Sequence, residues 1–170
     1  WKYLDEQGNL LFAVARFDRP DGKKEIIPLT YGENEYGRRW HWKGFPSPRP
    51  LYNLDKLAAM PDAPVLIVEG EKTVEAAARI FSDFVVTTSQ GGCGAASMTD
   101  WAPLKGRNIV IWPDADDSGM KYQGEVLSYI QDISSASLAA VVVPEDFPVG
   151  WDLADTPPKD WDVKLLRGLL

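Results

Sequence analysis

Two short apolar runs, each ending abruptly in acid, constrain this chain more than any other feature. Val65-Leu66-Ile67-Val68 stops at Glu69-Gly70, and Ile109-Val110-Ile111-Trp112 stops at Pro113-Asp114-Ala115-Asp116-Asp117-Ser118-Gly119. Neither run alternates with polar residues, so each reads as a parallel strand covered on both faces. Ligands of open α/β sheets gather at the carboxyl ends of such strands. If the two strands share a sheet, Glu69 meets Asp114 and Asp116 at one edge. In extended backbone Asp114 and Asp116 point the same way, and two carboxylates held that close repel unless a cation sits between them. Mg²⁺ suits the position because it is a hard ion that prefers oxygen ligands.

The segments around these runs complete an α/β pattern. Residues 1 to about 45 read as antiparallel β structure, with Leu10 to Phe17 as one strand and turns at Gln7-Gly8-Asn9 and Pro20-Asp21-Gly22. Phe45-Pro46-Ser47-Pro48-Arg49-Pro50 is a stiff, non-helical connector into a short helix capped near Asn53. A helix over Thr73–Phe81, a strand over Phe84–Thr88 and a short helix over Thr99–Leu104 follow. Gly119 opens a longer helix to about Ile133, and Leu138–Val143 reads as a further buried strand. Strands alternating with helices imply right-handed crossovers and a parallel sheet. The expected division is a β-rich basic subdomain over residues 1–61, the α/β catalytic domain over 62–156, and a C-terminal tail over 157–170.

Composition narrows the setting. The chain has 170 residues, 45% of them hydrophobic, and a net charge of −7, which argues against a simple electrostatic glove for nucleic acid. Basic residues nevertheless concentrate before the first acidic strand end, among them Arg16, Arg19, Lys23, Lys24, Arg38, Arg39, Lys43 and Arg49. Trp40-His41-Trp42 beside Arg38 and Arg39 has two readings: stacking on bases, or packing against the next domain. One cysteine, Cys93, and one histidine, His41, leave neither an internal disulfide nor a zinc set. No run approaches the ~20 apolar residues of a membrane helix, so a cytoplasmic setting without membrane attachment is expected. Trp1 in place of Met reads as the start of a segment from a longer protein.

Carboxylates at strand ends suit phosphoryl transfer. Asp114 and Asp116 would hold Mg²⁺ against phosphate, and Glu69 would act as general base, general acid or third ligand. The glycines of Ser89-Gln90-Gly91-Gly92-Cys93-Gly94 would let backbone approach a phosphate, with Gly91 and Gly92 at the closest point. The structural alternative is capping: Asp116 or Asp117 is a good N-cap for the helix that follows.

Taken as a pair, the Val-Glu-Gly and Asp114-Ala115-Asp116-Asp117-Ser118-Gly119 motifs, some 45 residues apart with a glycine-bearing loop between them, resemble the two signatures of the Toprim domain. That domain is shared by bacterial-type primases, type IA and II topoisomerases, and some nucleases and recombination proteins. The resemblance covers roughly residues 62 to 155. It implies a Rossmann-like, mostly parallel sheet flanked by helices, metal at Asp114 and Asp116, and acid/base chemistry at Glu69. Asp152, in Trp151-Asp152-Leu153-Ala154-Asp155, resembles the later acid that primases place after the next strand.

The region before that domain resembles the primase branch. Gly8 to Arg16 is similar to the segment in which a glycine opens a β-turn and an arginine follows eight residues later, and Arg49-Pro50-Leu51-Tyr52-Asn53-Leu54 resembles a basic residue before Leu-Tyr-x-Leu. Arg16 and Arg49 are thereby implied at template and nucleotide, and Lys72, close behind Glu69, at the triphosphate. Two departures stand out: alanines and valine replace the usual glycines between turn and arginine, and no zinc module is present. The wording as a whole is similar to primase or primase-helicase proteins of phages and mobile elements. The resemblance therefore implies an Mg²⁺-dependent core, with Mn²⁺ as a substitute, that makes RNA primers on single-stranded DNA from ribonucleoside triphosphates beside a replicative helicase. A Toprim nuclease or topoisomerase fragment and a non-catalytic nucleotide- or partner-binding module are the alternatives.

Overall fold

The computed structural model describes residues 1–35 and 37–170. Four antiparallel strands come first: β1 (Lys2–Leu4), β2 (Leu10–Asp18), β3 (Lys24–Asn34) and β4 (Gly37–His41), in sheet order β1-β2-β3-β4. The expected turns make this meander. Asp5 accepts from the backbone N–H groups of Gln7 and Asn9, and Gly22 sits at φ 80° between β2 and β3, where a side chain would be strained. Period-two alternation sends Phe12 and Val14 inward, where Tyr3 stacks on Phe12 with ring centroids 4.2 Å apart.

The connector leads to α1 (Leu54–Ala59), and the chain then winds through β5 (Val65–Val68), α2 (Glu71–Ile80), β6 (Val85–Thr87), β7 (Asn108–Trp112), α3 (Asp117–Gln131) and β8 (Ser137–Ala140). These strands form a second sheet of order β6-β5-β7-β8, parallel throughout. All four residues of β5 are buried, and their side chains divide between two apolar layers. Leu66 and Val68 meet Val74 and Ala77 of α2 on one face, while Val65 and Ile67 meet Tyr122, Val126 and Ile130 of α3 on the other. Tyr3, Phe12 and Val14 belong to the α2-side layer, so both sheets share one core. A short helix, α4 (Val163–Arg167), lies within residues 157–170, with Leu166 buried and Arg167 paired to Asp83 at 2.8 Å.

Three expectations are corrected. The last strand is shorter than Leu138–Val143 and half exposed, because β8 is an edge strand; Val142 is 86% exposed. The helix over Thr99–Leu104 is instead two 3₁₀ turns, Ala96–Met98 and Ala102–Leu104. Thr99 is extended between the two turns, and Asp100 takes the Ala102 N–H at 3.0 Å, which starts the second turn afresh. Asn53 stands before α1 but does not cap it through its side chain, which donates to the Val86 carbonyl at 2.9 Å while the backbone lies at φ 59°.

Gly119 has the tightest surroundings of any glycine in the chain. A Cβ there would overlap the Asp114 backbone carbonyl and nitrogen, so the first turn of α3 rests directly on the turn that ends β7. Gly124, on the same helix, has open space around it. Gly119→Ala is expected to cost about 3 kcal/mol in urea unfolding through overpacking. Gly124→Ala is expected to gain about 0.8 kcal/mol from helix propensity. Equal effects at the two sites would contradict the close approach.

Candidate active site

The register of the parallel sheet brings the acids together. Val68 pairs with Trp112, so Glu69 and Asp114 leave neighbouring strands at the same edge. Gly70, at φ 82°, turns the chain into α2, and its N–H donates to Thr88 Oγ1 at 3.1 Å. Two backbone bonds deliver the later acid. Ala115 donates to the Trp151 carbonyl at 3.0 Å and Gly150 to the Ala115 carbonyl at 2.9 Å, which places Asp152 beside Asp114. Buried Trp151, edge-on to Phe147 with centroids 4.7 Å apart, anchors that loop.

A cleft of about 370 Å³ opens between the two sheets and is lined by Glu69, Asp114 and Asp152 together with Arg16, Lys24 and Lys72. Gly91, Gly92 and Gln90 form another part of its wall. Lys72 Nζ lies 3.6 Å from both Asp152 and Asp155. Arg16 reaches the cleft from the inward face of β2 and pairs with Asp18 at 2.7 Å.

The electrostatics are those of crowded, partly dried carboxylates. Burial raises the pKa of Asp114 to about 7, reinforced by the charges of Glu69, Asp152, Asp116 and Asp155. Burial also raises that of Glu69, against the opposing pull of the Cys93 N–H. That N–H donates to Glu69 Oε1 at 3.1 Å, while Oε2 is buried and receives no hydrogen bond. A Cβ at Gly92 would stand 3.0 Å from Glu69 Oε1, so the glycine loop closes directly on the carboxylate.

Two candidate residues sit differently from their neighbours. Asp116 is the N-cap of α3, with Oδ1 accepting from Gly119 at 2.8 Å, while its own N–H folds back to the Asp114 carbonyl at 2.9 Å. The pair is therefore not extended as expected: Asp114 faces the main cleft, and the two acids share a smaller recess of about 270 Å³. Arg49 braces the glycine loop, its guanidinium 3.5 Å from the Gln90 carbonyl and 3.2 Å from that of Phe45. Lys24 and Gln90 were not singled out as cleft residues from the sequence. Lys24 pairs with Asp18 across β2 and β3 and shares the face of Arg16, which only the strand register reveals.

The donor set is all oxygen, and the unpartnered Glu69 Oε2 and mutually repelling Asp114 fit a hard divalent cation. Among the described residues, no group of three or more acids, histidines or cysteines forms a ready-made metal cage. No helix among the described residues is long and apolar enough to cross a membrane.

No protein-family model matches the sequence, and no curated protein is similar to it. The fold, however, is similar to that of primase catalytic cores. The Aquifex aeolicus primase, in its zinc-binding and RNA polymerase domains, aligns over 99% of this chain and 38% of its own, with TM-score 0.64 and 18% identity. A DNA primase domain from Pseudomonas aeruginosa aligns over 99% and 46%, with TM-score 0.53 and 15% identity. The primase fragment of the bacteriophage T7 primase-helicase protein aligns over 84% and 52%, with TM-score 0.51 and 15% identity. The chain thus spans about half or less of each of these three, and the expected α/β architecture with a β-rich N-terminal part is the observed one.

In the folded chain Asp114 ionises less readily than in the unfolded chain. Its contribution to stability is therefore complete below the ordinary carboxylate range and is lost as pH rises to about 7. Thermal melts in EDTA are expected to show stability falling over this window. Asp114→Asn is expected to flatten the profile and to be more stable at pH 8 by about 2 kcal/mol, allowing for partial solvation. An unchanged profile in the variant would contradict the carboxylate crowding.

Proposed function

We propose that this chain is the catalytic core of a DNA primase, synthesising RNA primers on single-stranded DNA from ribonucleoside triphosphates. One observation carries the reading: a single cleft, in a fold like that of primase cores, places Glu69, Asp114 and Asp152 across from Arg16 and Lys24, with Lys72 beside the acids. Acids and cations lining one cleft suit a reaction in which a triphosphate must be held while a hydroxyl is deprotonated.

Asp114 and Asp152, with Asp116 through its uncapped oxygen, would hold Mg²⁺, which when bound neutralises phosphate charge and orients it for displacement. Lys72 sits at the mouth of the cleft, where it would exchange its contact with Asp152 and Asp155 for the triphosphate. Arg16 and Lys24 would hold phosphates of nucleotide or template from the β-sheet side. Glu69, with a raised affinity for protons and one oxygen without a partner, would accept the proton of the attacking hydroxyl. Arg49, Gly91 and Gly92 would act by holding the loop against Glu69 and keeping that side of the cleft open. The T7 neighbour is a primase-helicase protein, which supports a helicase as the working partner.

The test is incorporation of labelled ribonucleotides on single-stranded DNA with Mg²⁺ or Mn²⁺. Template-dependent products are expected, with Glu69→Gln and Asp114→Asn each lowering the rate on the order of 10²-fold or more. Cleavage of the DNA without any incorporation would replace this reading with a nuclease. Nucleotide binding without either reaction would leave a non-catalytic module.

A further inference from the structure

The N-terminal sheet is apolar on both faces, and only one of them is covered. Its inward face, with Phe12 and Val14, is buried against the parallel-sheet core. On the outward face the register sets Trp40 opposite Tyr31, while Phe17 projects from the same side of β2. Among the described residues four large rings there are open to solvent: Phe17 is 45% exposed, Tyr31 50%, Trp40 45% and Trp42 59%. They meet in two pairs, Phe17 edge-on to Trp42 at 5.8 Å between centroids and Tyr31 tilted on Trp40 at 5.4 Å. Of the two readings the sequence allows for Trp40 and Trp42, packing against the neighbouring domain does not describe them. Four aromatic side chains clustered on one exposed face mark a contact surface.

The charges beside the rings identify the kind of partner. Arg38 stands on the outward face, opposite Glu33. Arg39 and Lys43 join Trp40 and Trp42 around a cleft of about 610 Å³ along β4, the free edge of the sheet. Protein interfaces deplete lysine around their aromatic anchors, whereas single-stranded nucleic acid pairs flat bases with a phosphate chain and is held by rings interleaved with cations. We infer that the outward face of β2–β4 is a second binding surface for single-stranded nucleic acid, with bases stacking on Trp40 and Trp42 and phosphates on Arg38 and, at the β4 edge, on Lys43. It lies on the side of the sheet away from Arg16 and Lys24, so binding there needs neither the acids nor a metal. The surface rests on its own geometry, and primer synthesis at the acids is a separate claim.

The experiment is equilibrium binding of a fluorescein-labelled oligothymidine of about 15 nucleotides to the chain in EDTA. The double variant Trp40→Ala/Trp42→Ala is expected to weaken binding about tenfold or more. Arg38→Ala/Lys43→Ala is expected to flatten the dependence of log affinity on log salt by about one unit. Primer synthesis by the same variants is measured separately with Mg²⁺ present, so loss of that reaction and loss of this surface are read separately. Melting temperatures of both double variants check that they fold, as substitution of such exposed side chains predicts. Unchanged affinity in the folded tryptophan variant would overturn the inference, as would equal affinity for duplex DNA of the same length. A self-associating chain that becomes monomeric when the tryptophans are removed would assign the face to a second copy instead.

Discussion

The interaction on which the rest of this structure depends is the parallel pairing of β5 with β7. Val68 opposite Trp112 commits Glu69 and Asp114 to one edge, whatever their charges prefer. Asp114 loses hydration in the half-dried cleft and meets like charges there, and its raised pKa expresses both costs. The acids stay together because the strands carrying them are buried on both faces, so separation would expose the apolar layers under α2 and α3. Local strain of this kind, held by packing elsewhere, characterises sites that act on charged ligands.

The surroundings of the acids follow from the same constraint. Gly119 lets α3 start against the Asp114 backbone, and Asp116 uses one oxygen to cap that helix. Gly92 lets the loop after β6 reach Glu69, where the Cys93 N–H holds one carboxylate oxygen. The spacing of the second motif therefore has a steric explanation beyond ligand count: its glycine is where helix and strand end touch. Asp116 spends one oxygen on the cap, so the capping reading and the ligand reading of this residue are compatible.

Much of the fold was legible because its signals are local. The unbroken apolar run of β5, the turn residues around Gly8 and Gly22, and the amphipathic face of α3 each specify their element within a few residues. The misplaced elements depend on position in the sheet instead. Leu138 to Val143 has the composition of a buried strand, but its place at the edge ends the ladder early. In the site, residues adjacent to motifs were legible, and those that arrive by register were not. Lys24 faces the cleft because it lies across from Asp18 on the side of Arg16, a relation set by the β2–β3 pairing. Arg49 carries a recognisable motif, yet its guanidinium ends on backbone carbonyls that no local pattern announces.

Net charge was the least informative of the sequence signals. A value of −7 argues against polyanion binding only if charges act at long range, and at physiological ionic strength they are screened within about 8 Å. What a phosphate meets is the local set. In the cleft that set is Arg16 and Lys24 across from the acids and Lys72 beside them, and on the far side of the same sheet it is Arg38 beside exposed rings, with Lys43 at the edge. The N-terminal sheet thus separates two chemistries by the two-residue period of its strands. Side chains of one parity present cations to the acidic strand ends, and those of the other present aromatic rings to solvent. A slip of one residue in the β2–β3 register would exchange the two faces of one strand against the other, burying Phe17 and expelling Arg16 from the cleft.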